Sequence, residues 1–328
     1  LITLFIMLDR VSDGAGALAG FSRMLEVAPE KFDMILSKDN PHYASLPGIS
    51  VLVGGMWVMN MSYWGFNQYI IQRALAAKDI REAQKGIAFA AFLKILMPLI
   101  VVVPGVALYA LKVDLAVPDQ AYPTAMSMLP TGLKGLVFAA LLAAIVSSLA
   151  SMSNSISTLV TLDLLPSIAP SSWSINQVAT GRIVALVAMA IAMLSARPLL
   201  GNFDQAFQYI QEFTGFFTPG IVAIFILGMF WPRATATGAL VAAGSSVLAS
   251  LALKLGWPAL PFIDRVGLVF LLVLALAVLT SVLSKAPATG GPEGQSFIVD
   301  VDFSTSRDYN IAALGVVLIL AVLYGVWW

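Results

Sequence analysis

The chain has 328 residues, of which 59% are hydrophobic and 11% are charged, whereas a soluble domain carries about 25% charge. This composition excludes a soluble protein and indicates an integral membrane protein. The 18 basic and 18 acidic residues cancel, so no nucleic-acid partner is indicated, and the absence of cysteine excludes disulfide, iron–sulfur and thiol chemistry.

The chain begins with Leu1 inside an apolar run, LITLFIML, that is too short to cross a bilayer. The run also lacks the charged start of a signal peptide. We therefore expect a C-terminal fragment whose first residues are the end of a truncated transmembrane helix. Residues 9–46 are polar and are expected to form an extracellular or periplasmic loop with short amphipathic helices.

Apolar runs of about 20 residues follow, without the alternation typical of barrel strands, so we expect an all-α membrane protein. Eight whole spans are predicted, at about 47–77, 86–111, 132–163, 180–196, 205–231, 238–256, 264–284 and 309–328. The charged segment 78–85 is expected to be a turn, and 285–308 a loop. Positive charge is concentrated around the turn 78–85, at Arg73, Lys78, Arg81 and Lys85, and a weaker bias in the later loops includes Lys285. This distribution marks the turn as cytoplasmic and the C-terminus as external.

The stretch 47–77 differs from an ordinary span because polar and aromatic residues follow one helical spacing in its middle: Asn60, Tyr63, Trp64 and Asn67. Polar groups at membrane depth usually face a protein interior or a wet cavity. Together with the glycine pair Gly54–Gly55, they suit a broken helix that exposes backbone groups to a substrate. The alternative is a helix–helix packing seam in which the amides bond across the interface.

Lys94 is a charged residue inside a predicted span, about 12 Å from its cytoplasmic end. Such charges are usually functional or paired. Lys94 is therefore either a ligand-binding residue or half of an ion pair with Glu212, the acid best placed in a later span.

The third span carries hydroxyls at three- and four-residue spacing in the segment AAIVSSLASMSNSIST. Small residues of this kind let helices approach closely. The adjacent Ser147 and Ser148, with a free carbonyl one turn back at Ala144, also offer part of the oxygen shell that Na⁺ prefers. Both interpretations stay open on the residues alone.

The fifth span places Phe207 and Gln211 on one face, one helical turn apart. Amides both donate and accept hydrogen bonds, which suits an uncharged polyhydroxylated ligand, and aromatic faces suit a sugar ring. No nucleophile–base couple or carboxylate pair is found, and the single histidine, His42, forms no zinc site or triad. The residues favour binding and passage over catalysis, so we expect no enzyme activity.

Three segments resemble the sodium/solute symporter family, above all its bacterial sodium/galactose, or sodium/glucose-type, branch: residues 64–94, 139–155 and 205–215. The resemblance extends over nearly the whole chain. It implies a LeuT-like fold with two inverted five-helix repeats, of which this chain would hold the second at 47–231 and three additional helices at 232–328. Residues 1–46 would then be the end of a truncated helix and a loop.

The resemblance also implies roles for individual residues. Asn60, Lys94 and Gln211 would contact sugar hydroxyls, Tyr63 beside Trp64 would be the inner aromatic gate, and Phe207 would be the outer cover. Ala144, Ser147 and Ser148 would bind sodium. Ser62 stands where the branch carries an aromatic residue, so the resemblance does not identify the sugar.

The implied function is sodium-coupled uptake of a neutral galactose- or glucose-like sugar by alternating access, in a multi-pass protein of the cell (inner or plasma) membrane. Sodium is the implied coupling ion, and the sugar and the lipid bilayer are the implied partners. Two alternatives remain: a sodium symporter for another small solute, such as inositol, an organic acid or an amino acid, and a transporter-like membrane sensor module.

Overall fold

The structure, a computed structural model, describes residues 1–168, 176–200, 206–284 and 301–328, and these ranges contain helices and connections but no strand. The predicted loop at 285–308, with Lys285, lies outside the described residues as far as residue 300, and so does the predicted start of the fifth span at 205. The first half of the fold has eight α-helices: α1 Ile2–Val11, α2 Ala17–Val27, α3 Ile49–Val53, α4 Gly55–Met61, α5 Gln68–Leu75, α6 Ile80–Ile95, α7 Met97–Ala110 and α8 Ala121–Ser127. The described residues of the second half form eight more: α9 Thr131–Thr158, α10 Leu165–Ile168, α11 Gln177–Leu200, α12 Ala206–Thr214, α13 Thr218–Phe230, α14 Ala236–Gly256, α15 Phe262–Leu283 and α16 Arg307–Val326.

Six helical segments of the described chain are long and apolar enough to cross a membrane, and the bent pair α12–α13 makes a seventh. The predicted set of eight also contained 47–77, which the structure divides into α3, α4, a π-helix at Ser62–Phe66 and α5. None of these pieces reaches the length of a span. The protein is a multi-pass membrane protein, and the stretch 47–77 is a broken segment instead of a single crossing helix.

Two residues mark the breaks in that segment. Gly54 separates α3 from α4, and a Cβ at this position would lie 2.5 Å from the Ser50 carbonyl oxygen, which only glycine avoids. Asn67 has an extended backbone, with φ −92° and ψ 113°, and ends the π-helix. The broken helix predicted from the glycines and amides is confirmed.

The charged segment 78–85 is mostly helical, so its prediction as a turn is wrong. The Asp79 side chain accepts a hydrogen bond from the Glu82 N–H at 2.9 Å and caps the start of α6, which begins at Ile80. Lys85 then forms an ion pair with Glu82 at 2.7 Å, one turn away. Because of this local capping, the charged residues form the first turns of a membrane-spanning helix.

The helices form two compact units, the first comprising residues 1–32 and 93–206 and the second residues 33–92 and 207–328. In the first unit, α1, α2, α7 and α8 share an apolar core that includes Met7, Met24, Leu108 and Ala125. The long helix α9 packs on α11, where the Ser157 hydroxyl donates to the Gly181 carbonyl at 2.9 Å.

The second unit is built on α13, α14 and α15, whose small residues pack at Ala223, Ala242 and Ala277. The helix α4 approaches α15 closely, because Gly55 has no Cβ that would collide with the Ile263 carbonyl. These units group residues by contact and not by internal repeat, so the division at 46 and 231 stays a prediction.

Candidate functional site

The π-helix Ser62–Phe66 places two aromatic side chains beside the break at Asn67. Tyr63 and Trp64 are each 41% exposed, and their rings meet edge to face with centroids 5.2 Å apart. The Tyr69 hydroxyl, on the far side of the break, donates to the Tyr63 hydroxyl at 3.0 Å. The helix is therefore interrupted at Asn67, and the hydrogen bond between the Tyr69 and Tyr63 hydroxyls connects the two sides of the break.

This geometry changes the predicted alignment of polar residues. The spacing of Asn60, Tyr63, Trp64 and Asn67 predicts one face only if the helix is α-helical throughout. A π-helix bonds i to i+5, so residues after Ser62 turn away from that face. π-Helical turns occur frequently at functional sites.

The packing alternative applies to a different residue of this segment. Phe66, the last residue of the π-helix, stacks on Phe225 of α13 with a centroid distance of 4.6 Å. The amide nitrogen of Asn60 instead donates to the Met56 carbonyl of its own helix at 2.9 Å. Phe66 anchors the segment by packing, while Asn60, Tyr63 and Trp64 stay exposed.

Lys94 lies in the last turn of α6, two residues before Leu96 separates α6 from α7. Its side chain is exposed. Lys94 and the serine helix α9 belong to the first unit, whereas Asn60, Tyr63, Phe207 and Gln211 belong to the second.

Glu212, the predicted partner of Lys94, has two other basic partners. Its Oε1 lies 2.8 Å from Arg265 Nη2 and 3.0 Å from Lys254 Nζ. Both cations also lie over the Phe216 ring, at 5.3 and 5.7 Å from its centroid. Lys254 and Arg265 therefore neutralise Glu212, and the pairing of Lys94 with Glu212 stays a hypothesis.

Sequence reasoning missed this cluster because Lys254 and Arg265 lie near the ends of two predicted spans, 238–256 and 264–284, and Glu212 was paired with Lys94 instead. A signal was available. The predicted topology puts the loop between the sixth and seventh spans on the same side as the start of the fifth span, where Glu212 lies. The Arg265 side chain is only 7% exposed, so it needs an anionic partner.

The residues predicted to bind sodium lie in the uninterrupted helix α9, where Ala144, Ser147 and Ser148 are all exposed. The Ala144 carbonyl was predicted to be free. In a continuous helix it accepts from the N–H four residues later, so only its second lone pair remains for an ion. The Ser151 hydroxyl donates to the Ser147 carbonyl at 3.0 Å, and Ser155 is buried.

The helix α12 carries Phe207 and Gln211 and makes a 43° angle with α13. Phe207 is 73% exposed, and the Gln211 side chain is half-buried. Gln208 donates to the Ser45 hydroxyl at 2.8 Å, which ties the start of α12 to the polar segment before α3. Oxygen and amide groups of this kind bind hydroxyls or a hard cation, and they supply no acid–base couple.

Comparison with known proteins identifies the family of the chain. Residues 1–244 match the model of the sodium:solute symporter family. A "Sodium/glucose cotransporter" of Vibrio parahaemolyticus is 46% identical over the whole chain and 63% of its own length. A "Sodium/mannose cotransporter SLC5A10" of Bos taurus and a "Sodium/myo-inositol cotransporter 2" of Oryctolagus cuniculus are each 35% identical over 61% of the chain, which corresponds to 36% and 32% of their lengths. The chain thus spans less than two thirds of the length of these relatives.

Proposed function

The chain belongs to the sodium:solute symporter family, and from this premise we propose that it forms part of a sodium-coupled symporter for a neutral sugar, glucose- or galactose-like, that works by alternating access. Sodium is the coupling ion in this proposal, and the protein is a transporter and not an enzyme. The name of the Vibrio parahaemolyticus relative supports a sugar as the cargo.

The single observation that carries the proposal is the interrupted segment 47–77. A π-helix with two half-exposed aromatic rings precedes an extended residue, Asn67, in a segment of membrane-span length. Breaks of this kind occur in transporters where the backbone lines a cavity, because lipid could not satisfy the freed polar groups.

The proposed sugar contacts divide by chemistry. The amides of Asn60 and Gln211 can donate to and accept from hydroxyls, and the amine of Lys94 can only donate. The rings of Tyr63, Trp64 and Phe207 would cover the apolar faces of the sugar. None of these residues is a carboxylate, so the set suits an uncharged ligand better than a cation.

A related cargo is favoured by a second observation. The relatives named for mannose and for myo-inositol match with 35% identity, and both molecules are neutral and polyhydroxylated. Inositol is therefore the second candidate. An organic acid, an amino acid or a sensor role has no comparable support.

The proposed sodium ligands are the hydroxyls of Ser147 and Ser148 and the second lone pair of the Ala144 carbonyl. Neutral oxygens are ligands that a hard cation accepts, and two adjacent serines present their hydroxyls about 100° apart on a helix. That divergence suits an ion between α9 and a neighbouring element better than it suits one flat packing seam.

The architecture in this proposal is LeuT-like. Residues 47–231 would be the second of two inverted five-helix repeats, and α14, α15 and α16 would be additional helices. The broken segment 47–77, at the start of the proposed repeat, supports this assignment, since discontinuous helices carry the binding sites of such transporters.

The test is uptake into proteoliposomes by the full-length transporter, meaning a protein of the relatives' length that contains this chain. Labelled galactose, glucose, mannose and myo-inositol are compared with and without a sodium gradient. We expect sodium-dependent uptake of at least one hexose. Sodium-dependent uptake of myo-inositol alone would replace the sugar with the second candidate, and no sodium-dependent uptake of any of the four would overturn the proposal.

A further inference from the structure

The bend between α12 and α13 determines how Phe207 and Gln211 are presented. The two helices are separated by three residues, 215–217, and differ in direction by 43°. Both proposed ligand residues lie on the α12 arm. The contacts that hold the bend at this angle therefore determine the positions of Phe207 and Gln211.

A hydroxyl from another helix is inserted at the bend. Ser246 of α14 donates to the Phe216 carbonyl at 2.7 Å and accepts from the Gly220 N–H at 3.0 Å. In a continuous α-helix these two backbone groups would bond to each other, because they are four residues apart. The Ser246 hydroxyl takes the place of one bond in the helical ladder, and such an insertion is a known cause of sharp kinks.

The insertion requires α14 to approach the bend closely. A Cβ at Gly220 would lie 2.8 Å from both the Ala242 carbonyl oxygen and Ser246 Cβ, so only glycine permits this contact. Ser246 is completely buried. The hydroxyl is therefore held in place by packing as well as by its two hydrogen bonds.

The α12 arm is anchored a second time on the same pair of helices. Glu212, one turn before the bend, pairs with Lys254 of α14 and Arg265 of α15. With Ser246 holding the bend and Glu212 holding the arm, the direction of α12 is set by the additional helices.

We propose that Ser246 is a positioning residue, which sets the bend of α12–α13 and through it the placement of Gln211 and Phe207 toward the sugar. The proposal rests on the proposed function for its effect on transport. Its effect on the angle of α12 can be measured independently of transport.

A matched control lies one turn further along the same helix. Ser250 is 1% exposed, and its hydroxyl has no hydrogen-bond partner among the residues that the structure describes. Ser250→Ala removes a buried hydroxyl from α14 without touching the bend. Any effect specific to Ser246→Ala therefore comes from the bridging hydroxyl.

The structural experiment measures a distance in the full-length transporter. The chain has no cysteine, so single cysteines for spin labels can be placed at Ile210 of α12 and Leu255 of α14, with any cysteine elsewhere replaced. Ile210 and Leu255 are 45% and 71% exposed. Complete loss of the 43° bend would move Ile210 by about 6–7 Å, since it lies six residues, or about 9 Å, from Phe216.

We expect Ser246→Ala to shift or split the label distance by several ångströms, because the Gly220 N–H can then bond directly to the Phe216 carbonyl. The sugar concentration for half-maximal uptake should rise about tenfold, the worth of one misplaced hydrogen bond. The sodium concentration for half-maximal uptake, measured at saturating sugar, should stay unchanged. Ser250→Ala should leave the label distance, the half-maximal sugar concentration and the half-maximal sodium concentration unchanged.

An unchanged distance together with an unchanged sugar dependence in Ser246→Ala would overturn the proposal. If the unmutated transporter shows no sodium-dependent uptake, the proposed function fails, and the label distance still decides whether Ser246 sets the bend. If Ser246→Ala does not fold, Ser246→Thr and Ser246→Val replace it, since they share one shape and differ in the hydroxyl. Only the valine variant should show the displaced α12, and equal distances in the two would also overturn the proposal.

Discussion

At the scale of single residues, the structure separates buried or packed side chains from exposed ones. Phe66 stacks on Phe225 of α13 and Ser155 is buried, while Tyr63, Lys94, Ser147 and Ser148 are exposed. Serines two turns apart on one helix thus differ in burial. Mutations can test this separation one position at a time.

The serine helix offers a paired test of the sodium site. Ser148→Ala in the full-length transporter should raise the sodium concentration for half-maximal uptake severalfold, because one oxygen is deleted from the proposed shell. Ser155→Ala, two turns along and buried, should leave sodium dependence unchanged. The measurement is uptake against sodium at fixed sugar, and equal curves for Ser148→Ala and wild type would leave the serines as packing residues.

Lys94 should act on sugar binding. Lys94→Ala removes a charged donor, and a hydrogen bond to a charged group is worth about 1.5–3 kcal/mol, so the sugar dissociation constant should rise roughly 10- to 150-fold. The pairs of Glu212 with Arg265 and Lys254 stay in place in this variant, and its melting temperature reports whether the protein remains folded. Lys134→Ala, at an exposed lysine of α9, is the control for loss of charge. Unaltered equilibrium sugar binding in Lys94→Ala would contradict the assignment.

Two substitutions distinguish the contribution of the Tyr63 ring to sugar binding from that of its hydroxyl. Tyr63→Phe keeps the ring but loses the bond to the Tyr69 hydroxyl, so sugar affinity should fall by no more than about tenfold. Tyr63→Ala also removes the stacking face and should weaken binding further. Isothermal titration with the transported sugar compares the two, and equal losses would show that the ring face makes no contact.

At the scale of elements, the helix breaks are specified partly within the helix and partly by its neighbours. Gly54 breaks its segment through its own backbone, whereas the bend at 215–217 is completed by Ser246 of α14. The helix α12 is short, and its orientation depends on charge as well as packing. The ion pairs of Glu212 with Lys254 and Arg265 therefore contribute to the stability of the whole second unit.

The cluster predicts unequal costs for its members. Glu212→Ala leaves the buried Arg265 side chain, 7% exposed, without its carboxylate, and should destabilise the protein by about 3 kcal/mol. Lys254→Ala removes a partner that is 44% exposed and should cost less than about 1 kcal/mol. Thermal unfolding in one detergent ranks the two variants, and the reverse order would show that Arg265 has another anion to pair with.

At the scale of the whole molecule, the proposal requires that uptake respond to membrane voltage, because a sodium ion crosses with an uncharged sugar. A potential of 100 mV is worth about 2.3 kcal/mol per elementary charge. The equilibrium accumulation ratio should therefore rise by up to about 50-fold per coupled sodium at 100 mV, inside negative. A potassium diffusion potential in proteoliposomes provides the measurement, and accumulation that ignores voltage would argue for an uncoupled carrier.

The sequence alone was sufficient for the membrane class and most of the crossing helices, because hydrophobicity over about 20 residues is a local property. It was also sufficient for the family, which the resemblance of segments such as 64–94 and 139–155 indicated. The break within 47–77 was also predictable, since glycine and amide residues act on their own backbone. The candidate ligand residues came from spacing and resemblance, and their assembly into one site stays a prediction.

Only the tertiary structure decided which partners these residues have. The pairing of Glu212 with Lys254 and Arg265, and the insertion of Ser246 at Phe216, join residues 30 to 53 positions apart. The predicted topology places Glu212, Lys254 and Arg265 on one side of the membrane, but it does not specify the contacts, because these depend on how three separate helices approach one another. The π-helix at Ser62–Phe66 was likewise missed, since a change from i→i+4 to i→i+5 bonding leaves the pattern of residue types unaltered while it redirects every side chain that follows.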